Sequence, residues 1–267
     1  VSARPTSAVL VGAGDIASCG SSGDEETANL LDEISGTVFT AGDLAYENGS
    51  AEDFNNCYAP SWGRHKSRTR PSPGNHEYFT MGAAGYYDYF GAAAGDPTKG
   101  YYSYELGAWH IIVLNSNVRV DAGSPQEQWL RRDLANSGVR CTLAYWHHPR
   151  FSSGADHGTN SALQPLWQAL YDYGVDVVMS GHDHIYERFA PQTPAGALDI
   201  AKGIRQFVVG TGGASRDQIG MIRANSEVRS SGAWGVLKLT LLPDRYEWRF
   251  VPVKDESFTD AGSASCH

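Results

Sequence analysis

Val9-Leu10-Val11-Gly12-Ala13-Gly14-Asp15-Ile16-Ala17-Ser18-Cys19-Gly20 decides the fold, because Gly12 to Ala17 fits two incompatible readings. The spacing G-x-G-x-x-A after an apolar run matches the loop that opens a dinucleotide-binding unit, where glycines admit a pyrophosphate at a helix N-terminus. The same residues also end a strand on a carboxylate, Asp15. The dinucleotide reading needs an acidic residue about 20 positions further on, at the end of the second strand. Asp32 and Glu33 have that spacing, but they fall inside the helical pattern of residues 24–34 (DEETANLLDEI), whose acidic first turn complements the helix dipole. The second strand, Thr37–Ala41, ends in Gly42-Asp43 instead. The opening loop is therefore read as serving Asp15.

Outward from that strand at residues 7–13, a third strand, Thr69–Ser72, runs into Gly74-Asn75-His76-Glu77, so the chain begins β-α-β-α-β, the start of an α/β sheet. Residues 101–106 and 109–115 read as a hairpin about Gly107-Ala108. Ser124-Pro125-Gln126-Glu127 spells a capping box with proline at the first helical position, giving a helix that ends near Asn136 and stops at Gly138. A strand at 142–146, a helix at 162–173 stopped by Gly174, and a strand at 176–180 follow. The remainder is β-rich, with strands near Arg205–Val209, 235–242 and 246–253, the last two joined by a tight turn at Pro243-Asp244. No repeat, linker or low-complexity segment interrupts the chain, so residues 1–267 are expected to form a single domain with two sheets.

With 267 residues, 41% of them hydrophobic, the chain can fill a sizeable core. A formal charge of −9 argues against a surface that neutralises a nucleic-acid polymer. No run approaches the roughly 18 apolar residues that span a bilayer. VSARPTSAV lacks the charged and apolar regions of a signal peptide, so the chain is expected to be soluble or already processed. Cys19, Cys57, Cys141 and Cys266 are even in number and too far apart for a C-x-x-C motif, which points to disulfides and a secreted or periplasmic setting. Three connectivities are open; Cys19–Cys57 with Cys141–Cys266 is the one expected.

The strand ends carry the chemistry. In chain order they read Gly14-Asp15, Gly42-Asp43-Leu44-Ala45-Tyr46, Gly74-Asn75-His76-Glu77, Trp146-His147-His148-Pro149 and Gly181-His182-Asp183-His184. Parallel strands deliver their C-terminal ends to one edge, where α/β sheets bind ligands. Asp, Asn and His side chains there are the oxygen and imidazole donors that divalent metals and iron accept. A lone Gly-Asp is an ordinary turn and a lone histidine an ordinary packing residue. Turn chemistry does not require histidine, however, and five such ends in this order point to a dinuclear metal site.

This order of motifs resembles the calcineurin-like metallophosphoesterases, and Tyr46 with Tyr186-Glu187-Arg188 makes it most similar to the purple acid phosphatases, in a short form without the accessory domain of the long plant-type enzymes. The resemblance implies a four-layer αββα sandwich of two mixed sheets with the metals at the strand C-terminal ends. It assigns Asp15, Tyr46 and His184 to one metal, Asn75, His147 and His182 to the other, and Asp43 as the bridge. A phenolate at Tyr46 implies Fe(III), paired with Fe, Zn or Mn. The implied activity is hydrolysis of phosphate monoesters by a metal-activated hydroxide, with a small phosphate ester as partner; a phosphodiesterase acting on nucleotides or phospholipid headgroups is the alternative. His76 and His157 are expected to contact the phosphate or the leaving group. One departure is Gly-Asp-Ile-Ala, where the family often has a further glycine.

Other residues receive plainer readings. His148 is expected to alternate onto the opposite face into packing, Glu77 to orient a neighbouring histidine, and Asp183 to accept hydrogen bonds away from the metals. Arg150, His65, His110 and His267 are read as surface, sheet or tail residues. The tryptophans from Trp62 to Trp248 are read as core. Asn48-Gly49-Ser50 matches a glycosylation acceptor but is foremost a turn. Substrate preference is assigned to the loops at 55–70 and 81–99. A scaffold that had lost turnover would lack ligands, and none is missing.

Overall fold

A computed structural model describes residues 7–267; the signal-peptide reading of residues 1–6 lies outside them. The first sheet has the order β13-β12-β11-β1-β2-β3, built from β1 (Ala8–Ala13), β2 (Thr37–Ala41), β3 (Thr69–Ser72), β11 (Gly235–Leu241), β12 (Arg245–Pro252) and β13 (Ala261–Ser265). The second has the order β10-β8-β9-β7-β6-β5-β4, from β4 (Tyr102–Leu106), β5 (Trp109–Val113), β6 (Cys141–Tyr145), β7 (Val177–Ser180), β8 (Tyr186–Phe189), β9 (Arg205–Val209) and β10 (Ser226–Ser230). Both are mixed. β1, β2 and β3 run parallel, as do β5, β6, β7 and β9, and antiparallel strands flank each set.

Period-two alternation explains the layers. Along β5, β6, β7 and β9, Trp109, Ile111, Val113, Leu143, Tyr145, Val177, Met179, Phe207 and Val209 point toward the first sheet. Their neighbours Ile112, Ala144, Val178 and Val208 point the other way, onto α4 (Pro125–Ser137) and α5 (Gln164–Asp172). These strands are buried on both faces and so read as largely apolar runs, interrupted at His110, Thr142 and Gln206. β12 instead alternates buried Tyr246, Trp248 and Phe250 with exposed Arg245, Glu247 and Arg249, the signature of a sheet wet on one side. α1 (Gly23–Glu33) and an aromatic segment cover the outer side of the first sheet. The result is the helix-sheet-sheet-helix sandwich expected above.

Some expectations are corrected. Between β2 and β3 there is no full helix, only the single turn α2 (Ala51–Asp53), a π turn over Phe54–Tyr58 and a 3-10 stretch over Trp62–Arg68. Within the loops given to substrate preference, Tyr58 and, from α3 (Ala84–Phe90), Tyr86, Tyr89 and Phe90 pack around Phe54 in an aromatic cluster. The capping box is half formed, because Ser124 caps the Glu127 N–H while the Glu127 carboxylate accepts from Gly123 N, not Ser124 N. Arg150 is buried over the Phe151 ring. His65 is buried against Ala28 O, and His110 is clamped between Glu105 and Asp133 at 2.8 and 2.6 Å. His267 bonds Asp176.

Both expected disulfides are present, Cys19–Cys57 and Cys141–Cys266. The second joins the end of the β13 edge of one sheet to the start of β6 in the other. Such a link removes conformational freedom from the unfolded chain.

Candidate metal centre

Strand polarity assembles the centre. β1, β2 and β3 of the first sheet end at Asp15, Asp43 and Asn75, while β6 and β7 of the second end at His147 and His182. The single edge inferred from the sequence is thus two edges that meet: the oxygen donors come from one sheet and the imidazoles from the other. α1 does not begin until Gly23, so no helix N-terminus follows the glycine loop to receive a pyrophosphate.

Seven side chains converge in two sets that share Asp43. In the first, Tyr46 Oη lies 3.1 Å from Asp15 Oδ1, 3.4 Å from Asp43 Oδ2 and 3.0 Å from His184 Nε2. In the second, His147 Nε2 lies 3.0 Å from Asn75 Oδ1, 3.1 Å from Asp43 Oδ2 and 3.1 Å from His182 Nδ1. Backbone conformation aims three of these groups: Asp15, Asp43 and His182 have φ of 61°, 52° and 72°. Left-handed backbone costs a residue with a β-carbon about 1–2 kcal/mol, so the fold holds these positions against their local preference.

The neighbouring glycines make room for donor side chains from other strands. A β-carbon on Gly42 would lie 2.5 Å from His147 Nδ1, one on Gly74 2.0 Å from Asp43 Oδ1, and one on Gly181 2.3 Å from Asp15 Oδ2. Sequence reading gave these glycines a sharp turn and an approach free of a β-carbon; the groups that fill the space are side chains from other strands. Of the three, only Gly42 also needs a positive φ, 81°.

The donor chemistry fits cations. His147 Nδ1 lies 2.8 Å from the Ala41 carbonyl, which can only accept, so the ring proton sits there and Nε2 turns its lone pair on two oxygen acceptors. Positive charge must stand among them. Without a metal a proton serves: burial disfavours the charged ring, but Asp43 outweighs it and holds His147 up at about 9. His184 is likewise at about 9, burial being outweighed by Asp15. Burial also raises Asp43, yet His147 and His76 bring its carboxyl below the ordinary value. Burial first, and then Asp15 and Asp43, push the Tyr46 phenol well above 10.

Around the ligands, Glu77 does not orient a histidine as expected. Its buried carboxylate accepts from the backbone N–H of Asp43, Leu44, Ala45 and Gly74, tying the β2 loop to the β3 loop. Asp183 accepts from His157 N and Gly158 N and so holds that loop. His182 N donates to Asp15 Oδ2 and His76 N to Asp43 Oδ1, both at 2.8 Å. The His76 ring lies tilted against Tyr46, centroids 4.3 Å apart, with Nε2 3.9 Å from Asp43 Oδ2. The exposed His157 ring lies 4.0 Å from His182. His148 is not on the opposite face: its ring is 4.9 Å from His147 and 4.3 Å from His182, because β6 ends at Tyr145 and alternation ends with it.

Sequence reading missed Ser215 and Asp217, which hold His184 through Nδ1 at 2.5 Å and its backbone N–H at 2.8 Å. It also missed Gly210-Thr211-Gly212-Gly213, which crosses from β9 onto the Asp15 loop. A signal was there: this is another glycine-rich strand end.

The sequence profile of the calcineurin-like phosphoesterases matches residues 8–186, and the chain belongs to that family. It is similar to purple acid phosphatase 15 of Arabidopsis thaliana, at 34% identity over 100 residues covering 36% of this chain and 19% of that protein. It is also similar to purple acid phosphatase 22 of the same plant, at 35% identity over 113 residues covering 39% of this chain and 26% of that protein. Its matches thus span about a fifth to a quarter of those relatives' length. Among solved structures it superposes over 98% of its length on the purple acid phosphatase PPD1 from yellow lupin seeds, covering 54% of that chain, with TM-score 0.80 at 18% identity. GAP50, the anchor in the inner membrane complex of Plasmodium, is matched over 98% of this chain and 90% of that one with TM-score 0.75 at 14% identity. These two likenesses show the fold; because the same fold serves in an anchor, function must be argued from the site.

Proposed function

We propose that residues 1–267 form a single catalytic domain that hydrolyses small phosphate monoesters with two metal ions. The observation that carries this is the pair of converging donor sets sharing Asp43, with the His147 lone pair turned on two oxygens. Asp15, Tyr46 and His184 would hold one ion, Asn75, His147 and His182 the other, and Asp43 both. The hard anionic oxygen of Tyr46 suits Fe(III), with Fe, Zn or Mn in the nitrogen-rich set. Two bound cations supply a nucleophile from water and neutralise charge on the phosphoryl oxygens.

The chain's own groups do the rest. Glu77 and the glycines fix the carboxylates before substrate arrives, which is electrostatic preorganisation. His76, anchored through Nδ1 to Glu47 O at 2.5 Å, presents its other ring nitrogen beside the bridging carboxylate, where it can bind phosphate or protonate the leaving oxygen. His157, its exposed ring against His182, is the second candidate to contact the phosphate or the leaving group. Two disulfides fit an oxidising, secreted or periplasmic setting.

The test is hydrolysis of p-nitrophenyl phosphate against bis-p-nitrophenyl phosphate by metal-replete protein across pH. Monoester preference is expected. Diester preference would replace the phosphatase with a phosphodiesterase, and no hydrolysis of either at any metal loading would remove the catalytic reading.

A further inference from the structure

We propose that His148, oriented by Ser116, is an additional phosphate-binding residue of this centre, its Nε2–H donating to a non-bridging oxygen of the phosphoryl group. This rests on the phosphate-ester reading above. Ser116 Oγ accepts from His148 N at 3.2 Å and stands 2.7 Å from His148 Nδ1. With one lone pair of Oγ taken by the His148 amide, the arrangement proposed has the hydroxyl donating to Nδ1. The imidazole proton is then on Nε2. That N–H has no partner among the described residues, and its ring is only partly covered.

The direction of the ring follows from the end of β6. Trp146 N still bonds Met179 O, but the Trp146 indole N–H donates to His148 O at 2.7 Å and closes a tight turn. The turn brings the His148 ring beside His147 and His182, the latter also in contact with His157. A ring nitrogen of His148 lies within 4.8 Å of one on each of His147 and His182. A protonated Nε2 cannot ligate a cation, and Asn75, His147, His182 and Asp43 already supply four donors there. It can bond the anion those cations attract. A partly exposed N–H beside the two donor sets can give such an anion a charge-assisted hydrogen bond.

The experiment compares metal-replete wild type, His148→Leu, His148→Gln and Ser116→Ala for metal content, inorganic phosphate affinity by calorimetry, and kcat and KM on p-nitrophenyl phosphate. His148→Leu is expected to keep both metals and to weaken phosphate binding and raise KM about tenfold, with a smaller change in kcat. His148→Gln, which retains a donor near the Nε2 position, should recover most of the affinity. Ser116→Ala should fall between, at about threefold, because it only frees the tautomer. Unchanged phosphate affinity in His148→Leu overturns the proposal, as does loss of a metal, which would make His148 a ligand. Should His148→Leu fail to fold, wild-type affinity in Ser116→Ala overturns it equally. A wild type that binds phosphate but hydrolyses no ester would defeat the catalytic reading alone, since calorimetry would still decide His148.

Discussion

The first sheet brings oxygen to the centre and the second brings nitrogen, and the two halves are held by different means. On the oxygen side the backbone does the aiming: Asp15 and Asp43 sit in left-handed conformations, and one buried carboxylate, Glu77, gathers four amides to keep the β2 and β3 loops together. On the nitrogen side only His182 is aimed that way; hydrogen bonds to the rings hold the other two, through Ala41 O for His147 and Ser215 Oγ for His184. Neither half is self-sufficient. Ala41 belongs to the first sheet and orients an imidazole of the second, while His182 N of the second sheet steadies Asp15 of the first. Carboxylates tolerate few orientations once buried and charged, so the chain fixes their backbone; imidazoles need a tautomer, so the chain fixes a proton.

The largest effect should come from the residue common to both donor sets. Asp43→Asn should lower kcat about a thousandfold or more and reduce metal content at both positions, measured by kinetics and elemental analysis. Retention of full activity would mean the sets do not share a ligand. Next, Gly42→Ala drives a methyl into the His147 ring from the other sheet. It should cost about 3 kcal/mol of stability by chemical denaturation and empty the nitrogen-rich position first. If instead only the β2 loop loosened with metal still bound, the glycine would be a turn residue after all.

Glu77→Gln leaves one acceptor oxygen where the carboxylate offers two. Metal affinity should fall 10- to 100-fold and stability by about 2 kcal/mol. Smaller still, Ser215→Ala should weaken only the position that includes Tyr46 and His184, about tenfold, seen by competition with a chelator. Equal loss at both positions would erase the distinction between the halves. The smallest test lies outside both, at His110. Burial lowers its pKa, but Asp133 and Glu105 outweigh this and raise it above the ordinary 6.5. Its contribution to stability is therefore complete below pH 6.5 and is lost as pH rises through the higher folded value. His110→Gln should flatten the stability profile over that alkaline-side window, followed by thermal denaturation.

The layers and the convergence of the donor side chains were legible because each depends on residues adjacent in sequence. A buried parallel strand must be a largely apolar run, and a ligand at its end must be Asp, Asn or His within a few positions. What escaped reading was set by contacts between distant segments. Ser215 and Asp217 meet His184 across 31 and 33 residues, and Ser116 meets His148 across 32. No spacing rule links such loops. His148 was misplaced because alternation was carried past Tyr145, where the strand ends. The division of donors between two sheets was also hidden, since strand order says which ends are C-terminal and not which sheet each strand joins.

The glycines at Gly42, Gly74 and Gly181 behave as sockets, each receiving a group from elsewhere in the chain. An arrangement of sockets and pins on two separate plates has an assembly order. The plates must seat before the pins have anywhere to go, so a chain whose sheets have not yet docked offers an incoming ion only scattered carboxylates and rings. On the proposed reading, metal capture would be the last event of folding, and a loaded centre would act as a latch on the closed sandwich.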